Sequence, residues 1–142
     1  VALTKPSQNA PGGFFRAADY TDAVAVVIEP VSLRTDVPNT YRGVTKNRDE
    51  LTANVSAFLD FDSLDAGKPT VSKNVIIDKV AIVNAAKDGA VAGVVRKLAG
   101  KENEYFALVD LDNATQVKVD AWYDGREAAT QAAIDAAPGF DD

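Results

Sequence analysis

The sequence predicts a mainly β fold with five strands, a short helix between the third and fourth, and a helix toward the C-terminal end. Three observations carry this. Leu51, Ala53, Val55, Ala57, Leu59 and Phe61 alternate strictly with Thr52, Asn54, Ser56, Phe58 and Asp60, the period of a half-buried strand. Residues 23–33 are apolar at odd and even positions alike, as in a strand covered on both faces at the centre of a sheet. The Ala-rich stretch 127–137 has high helix propensity and stops at Pro138-Gly139.

Each element follows in order. Residues 1–13 hold Pro6, Pro11, Gly12 and Gly13 among polar residues and read as an extended arm. Strand 1 covers 23–33, with Pro30 marking a bend or bulge. Residues 35–48 read as a polar connection, and 51–61 as strand 2. Residues 62–69 are a turn region and 70–77 a third strand. Ile76, Val80 and Val83 fall at helical spacing, which favours a short helix over 79–86. Strand 4 spans 90–98, and strand 5 spans 104–111 after a turn. Asn113 is the expected N-cap of a helix that carries Val117, Ala121, Ala128 and Ala132 on one side, with Gly125 placed to kink or divide it.

This element order is that of the OB-fold, a five-stranded Greek-key barrel often used to bind oligonucleotides. A β-sandwich or another small barrel fits the same strands, and the choice rests on the helix at 79–86. The expected organisation is an arm (1–13), an OB-like barrel (14–112), a C-terminal helix (113–137) and an acidic tip (138–142).

Composition limits the chemistry. A chain of 142 residues, 46% hydrophobic and 25% charged, makes one ordinary soluble domain with one core. No apolar run reaches the ~20 residues of a membrane helix. No basic stretch followed by an apolar run opens the chain, so no signal peptide is expected. Without Cys or His there is no thiol nucleophile, imidazole base, Ser-His pair or Cys/His zinc site. Asp110 and Asp112 are paired carboxylates that nothing in the sequence puts in a cleft. An enzyme is not expected, nor is a cofactor.

Charge is split along the chain. Residues 1–101 carry 13 Lys and Arg against 11 Asp and Glu, whereas residues 102–142 carry 2 against 10. Most of the acidic excess lies on the last strand and helix, and only Asp141 and Asp142 follow the Pro138-Gly139 break. Such an end can dock a basic partner or compete with an anionic ligand.

A cationic segment, 34–48, holds Arg34, Arg42, Lys46 and Arg48 around Tyr41, with Asp36, Asp49 and Glu50 among and beside them. In an OB-like barrel it joins strands 1 and 2, where Arg and Lys neutralise phosphates and an aromatic ring stacks a base. Phe58, on an otherwise polar strand face, suits base stacking or packing against Trp122 and Tyr123. Arg96, Lys97 and Lys101 surround the turn between strands 4 and 5. Asp60, Asp62 and Asp65 lack the distal bidentate Glu of a calcium loop and read as a solvated turn.

The run Pro11-Gly12-Gly13-Phe14-Phe15-Arg16-Ala17-Ala18-Asp19-Tyr20, followed by the Val-rich strand, resembles small proteins of tailed actinobacterial phages. The likeness extends over roughly residues 10–125, through an aliphatic segment at 75–83 and a Gly- and Arg-containing stretch at 93–100. The chain lacks the longer Gly/Lys/Pro-rich loop associated with those proteins after Gly100. Its acidic tip is similar in kind to those of phage and bacterial single-stranded DNA-binding proteins, although here Phe140 precedes the final acids.

The resemblance implies a non-catalytic phage protein that binds single-stranded DNA in the host cytoplasm. Arg42, Lys46, Arg48 and Lys97 are the expected phosphate contacts, and Tyr41 and Phe58 the base contacts. The alternative is a virion structural protein, a capsid decoration or tail component bound to capsid or tail proteins, which the net charge of −6 favours. A partner for the acidic C-terminus and self-association into a homo-oligomer are further expectations.

Overall fold

The computed structural model describes residues 13–101 and 103–136, with side chains described through Arg126. Residues 1–12 of the expected arm and the expected acidic tip, 138–142, lie outside the described residues. Five strands form one sheet: β1 (Ala25–Tyr41), β2 (Val44–Phe58), β3 (Thr70–Ile77), β4 (Val91–Ala99) and β5 (Glu104–Val109). Their order is β3-β2-β1-β4-β5, and all neighbours are antiparallel. Helices α1 (Phe61–Ala66), α2 (Val80–Ala86) and α3 (Asn113–Ala136) complete it, after a 3-10 turn at Ala17–Tyr20. Among the described residues no helix is long and apolar enough to cross a membrane.

The apolar pattern explains the layering. β1 is the central strand, and its two faces feed two hydrophobic clusters. Val26 and Ile28 join Leu51, Ala53, Val55 and Ala57 of β2, Ile77 of β3, and Ile82 and Val83 of α2. Ala25 and Val27 face the other way, toward Phe58, Leu64, Val119 and Trp122 beneath α3. Gly93, opposite Val26, is required by close packing: a Cβ there would lie 2.6 Å from Leu108 Cγ and 2.7 Å from the Val109 carbonyl oxygen.

The sheet is not closed into a barrel. Among the described residues β3 pairs with β2 and not with β5. Its outer edge is taken by the N-terminal segment: the Ile76 amide donates to the Gly13 carbonyl and the Phe15 amide to the Ile76 carbonyl, both at 2.8 Å. Gly13, expected within the arm, is already part of the fold. Phe15 is buried behind this contact and stacks on Tyr20 at 4.7 Å.

Three local expectations are corrected. Residues 35–48 are not a loop but the outer halves of β1 and β2, joined by Arg42-Gly43. Both turn residues have positive φ, 51° and 77°, as a two-residue turn matched to the strand twist requires. Asp60 opens α1, where the end of strand 2 and a turn over 62–69 were expected. Its carboxylate accepts from the Ser63 amide at 2.7 Å, and its own amide donates to Ser63 Oγ at 3.3 Å, a reciprocal cap. The cap of α3 is Asp112, not Asn113: its Oδ1 accepts from the Thr115 amide at 2.7 Å. That bond and a second to the Thr115 side chain hold the Asp112 carboxyl below its ordinary value. α3 runs through Gly125 undivided.

α3 is fastened at three points, two on the sheet and one on α1. Trp122 meets the Phe58 ring edge-on at 5.1 Å, a pair worth about 0.5–1.5 kcal/mol beyond its buried area. Arg126 forms a bidentate pair with Glu29 of β1 at 2.6 and 2.7 Å, and its guanidinium lies over the Trp122 and Tyr123 rings. Lys118 reaches Asp65 of α1 at 2.6 Å.

Candidate nucleic-acid interface

Beyond Arg34 and Glu50, β1 and β2 pair only with each other and form a two-stranded arm roughly 20 Å long. Side chains of directly opposed residues share a face. Tyr41 opposes Val44, Asn39 opposes Lys46, and Val37 opposes Arg48. Tyr41, Asn39, Lys46 and Arg48 therefore stand on one side of the arm. Tyr41, Arg42, Asn39, Val44 and Lys46 surround a shallow depression at its tip.

The other face is polar and acid-bearing. Thr40 and Thr45 share a hydroxyl hydrogen bond of 2.7 Å, and Asp49 accepts from the Asp36 amide at 3.2 Å. The two acids that follow Arg48 in sequence are thus disposed of differently. Asp49 lies on the face opposite Lys46 and Arg48, and Glu50 is occupied by Arg34 and Arg48.

The tip is open. Tyr41 is 68% exposed and Val44 56%. The Arg42 guanidinium lies 5.2 Å from the centre of the Tyr41 ring. Lys46 is exposed, and no carboxylate lies within ion-pair distance of Arg42 or Lys46 among the described residues. The tip therefore combines two cations with an accessible aromatic face, the donors needed to meet a phosphodiester and a base.

The remaining predicted residues are placed differently. Phe58 is completely buried against Trp122 and cannot receive a base while the fold is intact. Its alternative, helix packing, is the one realised. Arg48 is not a free cation, because it pairs with Glu50 at 3.2 Å and Asp78 at 2.9 Å. Glu50 is only 8% exposed, and Arg34 approaches it from the other side at 3.8 Å. This cluster fixes the base of the arm, since a buried carboxylate stripped of its partner is strongly destabilising.

Lys97 pairs with Glu104 at 3.3 Å and lies over the Phe106 ring. The register Val26↔Gly93 and Tyr41↔Val44 puts it at the other end of the sheet from the arm tip, on the order of 50 Å away along the strands. Of the six predicted residues, the structure brings Tyr41, Arg42 and Lys46 together at the arm tip, has Arg48 on the same face at its base, and keeps Phe58 and Lys97 apart from them.

The exposed aromatics Phe14, Phe61 and Tyr105 were not singled out, and Phe14 is the one beside the cationic face. Phe14, 55% exposed, lies beside Arg48 with the guanidinium 5.9 Å from its ring centre. Its signal was the alternation around it, with Phe15 and Ala17 buried and Phe14 and Arg16 outward. Among the described residues no cluster of three or more acidic side chains is arranged to hold a metal ion. No protein-family model, no curated protein and no solved structure matches this chain.

Proposed function

We propose that this chain is a non-catalytic protein that binds single-stranded DNA, on an OB-like barrel left open between β3 and β5. The observation that carries the reading is the strand order β3-β2-β1-β4-β5 with α2 between β3 and β4. Joining β5 to β3 would close this order into the five-stranded Greek-key barrel of the OB-fold, whose strand 2–3 face and loops 1–2 and 4–5 bind oligonucleotides. The arm stands where the loop between strands 1 and 2 would be, extended into a hairpin.

The mechanism is local because the chain as a whole carries −6. Arg42 and Lys46 neutralise phosphates and release condensed counterions, while Tyr41 offers a ring that stacks on any base. Side chains two residues apart on one strand face are about 7 Å apart, so Tyr41 and Lys46 follow a backbone laid along the arm. Phe58 is no longer part of this site, Arg48 acts from within its carboxylate cluster, and Lys97 is a separate contact. In the phage setting suggested by the resemblance around Gly12-Gly13-Phe14-Phe15, the protein works in the host cytoplasm during infection.

The test is fluorescence anisotropy with labelled oligo-dT at low salt. The reading predicts binding that tolerates sequence and falls linearly in log K with log salt. Absence of binding at low salt contradicts it.

A second reading, a virion structural protein, is favoured by one observation. A two-stranded hairpin is marginal on its own in water, and this one exposes Tyr41 and Val44. An arm of this kind is also suited to lie against a neighbouring capsid or tail subunit. Co-purification with intact particles, with no oligo-dT binding, would favour this reading over the first.

A further inference from the structure

We infer that Phe14 is a stacking platform for one base of the bound strand, taking the role for which the sequence offered Phe58. The inference rests on the single-stranded DNA reading and deepens it. Backbone bonds on both sides fix the ring: the Gly13 carbonyl and the Phe15 amide each pair with Ile76 at 2.8 Å, and Phe15 is buried against Tyr20. With its neighbours held this way, Phe14 faces outward as a large exposed ring on a rigid edge, beside the Arg48 guanidinium.

Its surroundings match a nucleotide. Phe14, Arg16 and Lys79 border a groove of about 380 Å³, and both cations are exposed. Two carboxylates also line that groove. Asp78 is held by Arg48, and Asp19 is exposed at the N-terminal turn. The Arg48 guanidinium beside the ring makes Phe14 continuous with the arm, because Arg48 shares its face with Lys46 and Tyr41. A strand laid along that face from the tip passes Tyr41, Lys46 and Arg48 before reaching Phe14. A base stacks there while Arg16 and Lys79 meet the following phosphate.

Stacking and charge are separated with two labelled probes, a dT tract and an abasic tract with the same number of phosphates. Phe14→Ala is expected to weaken the dT complex by about 5- to 150-fold, the range for loss of one stacked base. It should leave the abasic complex unchanged, and Phe14→Tyr should restore dT affinity. Because the ring is exposed, the thermal transition followed by circular dichroism should stay at the wild-type temperature. Wild-type dT affinity in Phe14→Ala overturns the inference, as does an equal loss on both tracts, which would make the ring a support for Arg48. If the wild-type chain binds neither tract, the DNA reading itself fails and this inference with it.

Discussion

At the scale of single residues, Arg42 is the informative one. It occupies the first position of a turn whose positive φ suits Asn or Gly and disfavours a long side chain. The strain is local, and the guanidinium it supports lies over an exposed Tyr41 ring. The turn and the proposed phosphate contact therefore make opposite demands at this position. Arg42→Asn is expected to leave the thermal midpoint unchanged or raise it, while weakening oligo-dT binding several-fold. A parallel loss of stability and binding would mean that Arg42 serves the turn and not the ligand. Phe58 and Phe14 carry the complementary lesson. Both are phenylalanines beside polar residues, and only the fold distinguishes a ring sealed beneath Trp122 from one held outward by Ile76. Arg48 is similar: of the two acids that follow it in sequence Asp49 faces away and Glu50 pairs with it, and the carboxylate that captures it most closely, Asp78, is 30 positions away.

At the scale of elements, legibility followed burial. β2 was readable where Leu51, Ala53, Val55 and Ala57 face the core, and β1 was correctly central because it is covered on both sides. The helix between β3 and β4 was expected from the spacing of Ile76, Val80 and Val83, but Ile76 belongs to β3 and Val80 is exposed, and it is Ile82 and Val83 that pack inward. The arm was not readable. Past Leu51 neither face meets a core, so no period of two survives, and Arg42-Gly43 is a weaker turn signal than Asn-Gly. α1 was missed because six residues carry too little periodicity, and only the Asp60–Ser63 cap marks it. α3 makes a prediction of its own. The Asp112 carboxyl is held below its ordinary value by Thr115, so its stabilising effect is complete above the unfolded carboxylate range and is lost as pH falls through the lowered folded value. Thermal melts of wild type and Asp112→Asn should therefore differ most at neutral pH and converge in strong acid. A constant gap from neutral to acid pH would mean that the cap charge contributes nothing.

At the scale of the whole molecule, the distribution of charge decides how an acidic protein could hold a polyanion. Glu29, Glu50, Asp65, Asp78 and Glu104 each meet a cation of the body, among them Arg126, Arg48, Lys118 and Lys97. The arm instead carries Arg42 and Lys46 with no carboxylate at ion-pair distance among the described residues, and Asp49 is turned to its opposite face. The sheet body supplies rigidity, and the arm supplies reach and charge. The central claim is that the arm tip contacts the phosphates. It is tested most directly by the salt dependence of oligo-dT binding, measured for wild type and for Arg42→Ala/Lys46→Ala in the full chain. Each single-strand phosphate contact contributes about 0.7 to the slope of log K against log salt, so the double variant should lose roughly 1.4. A slope equal to that of wild type would contradict the account.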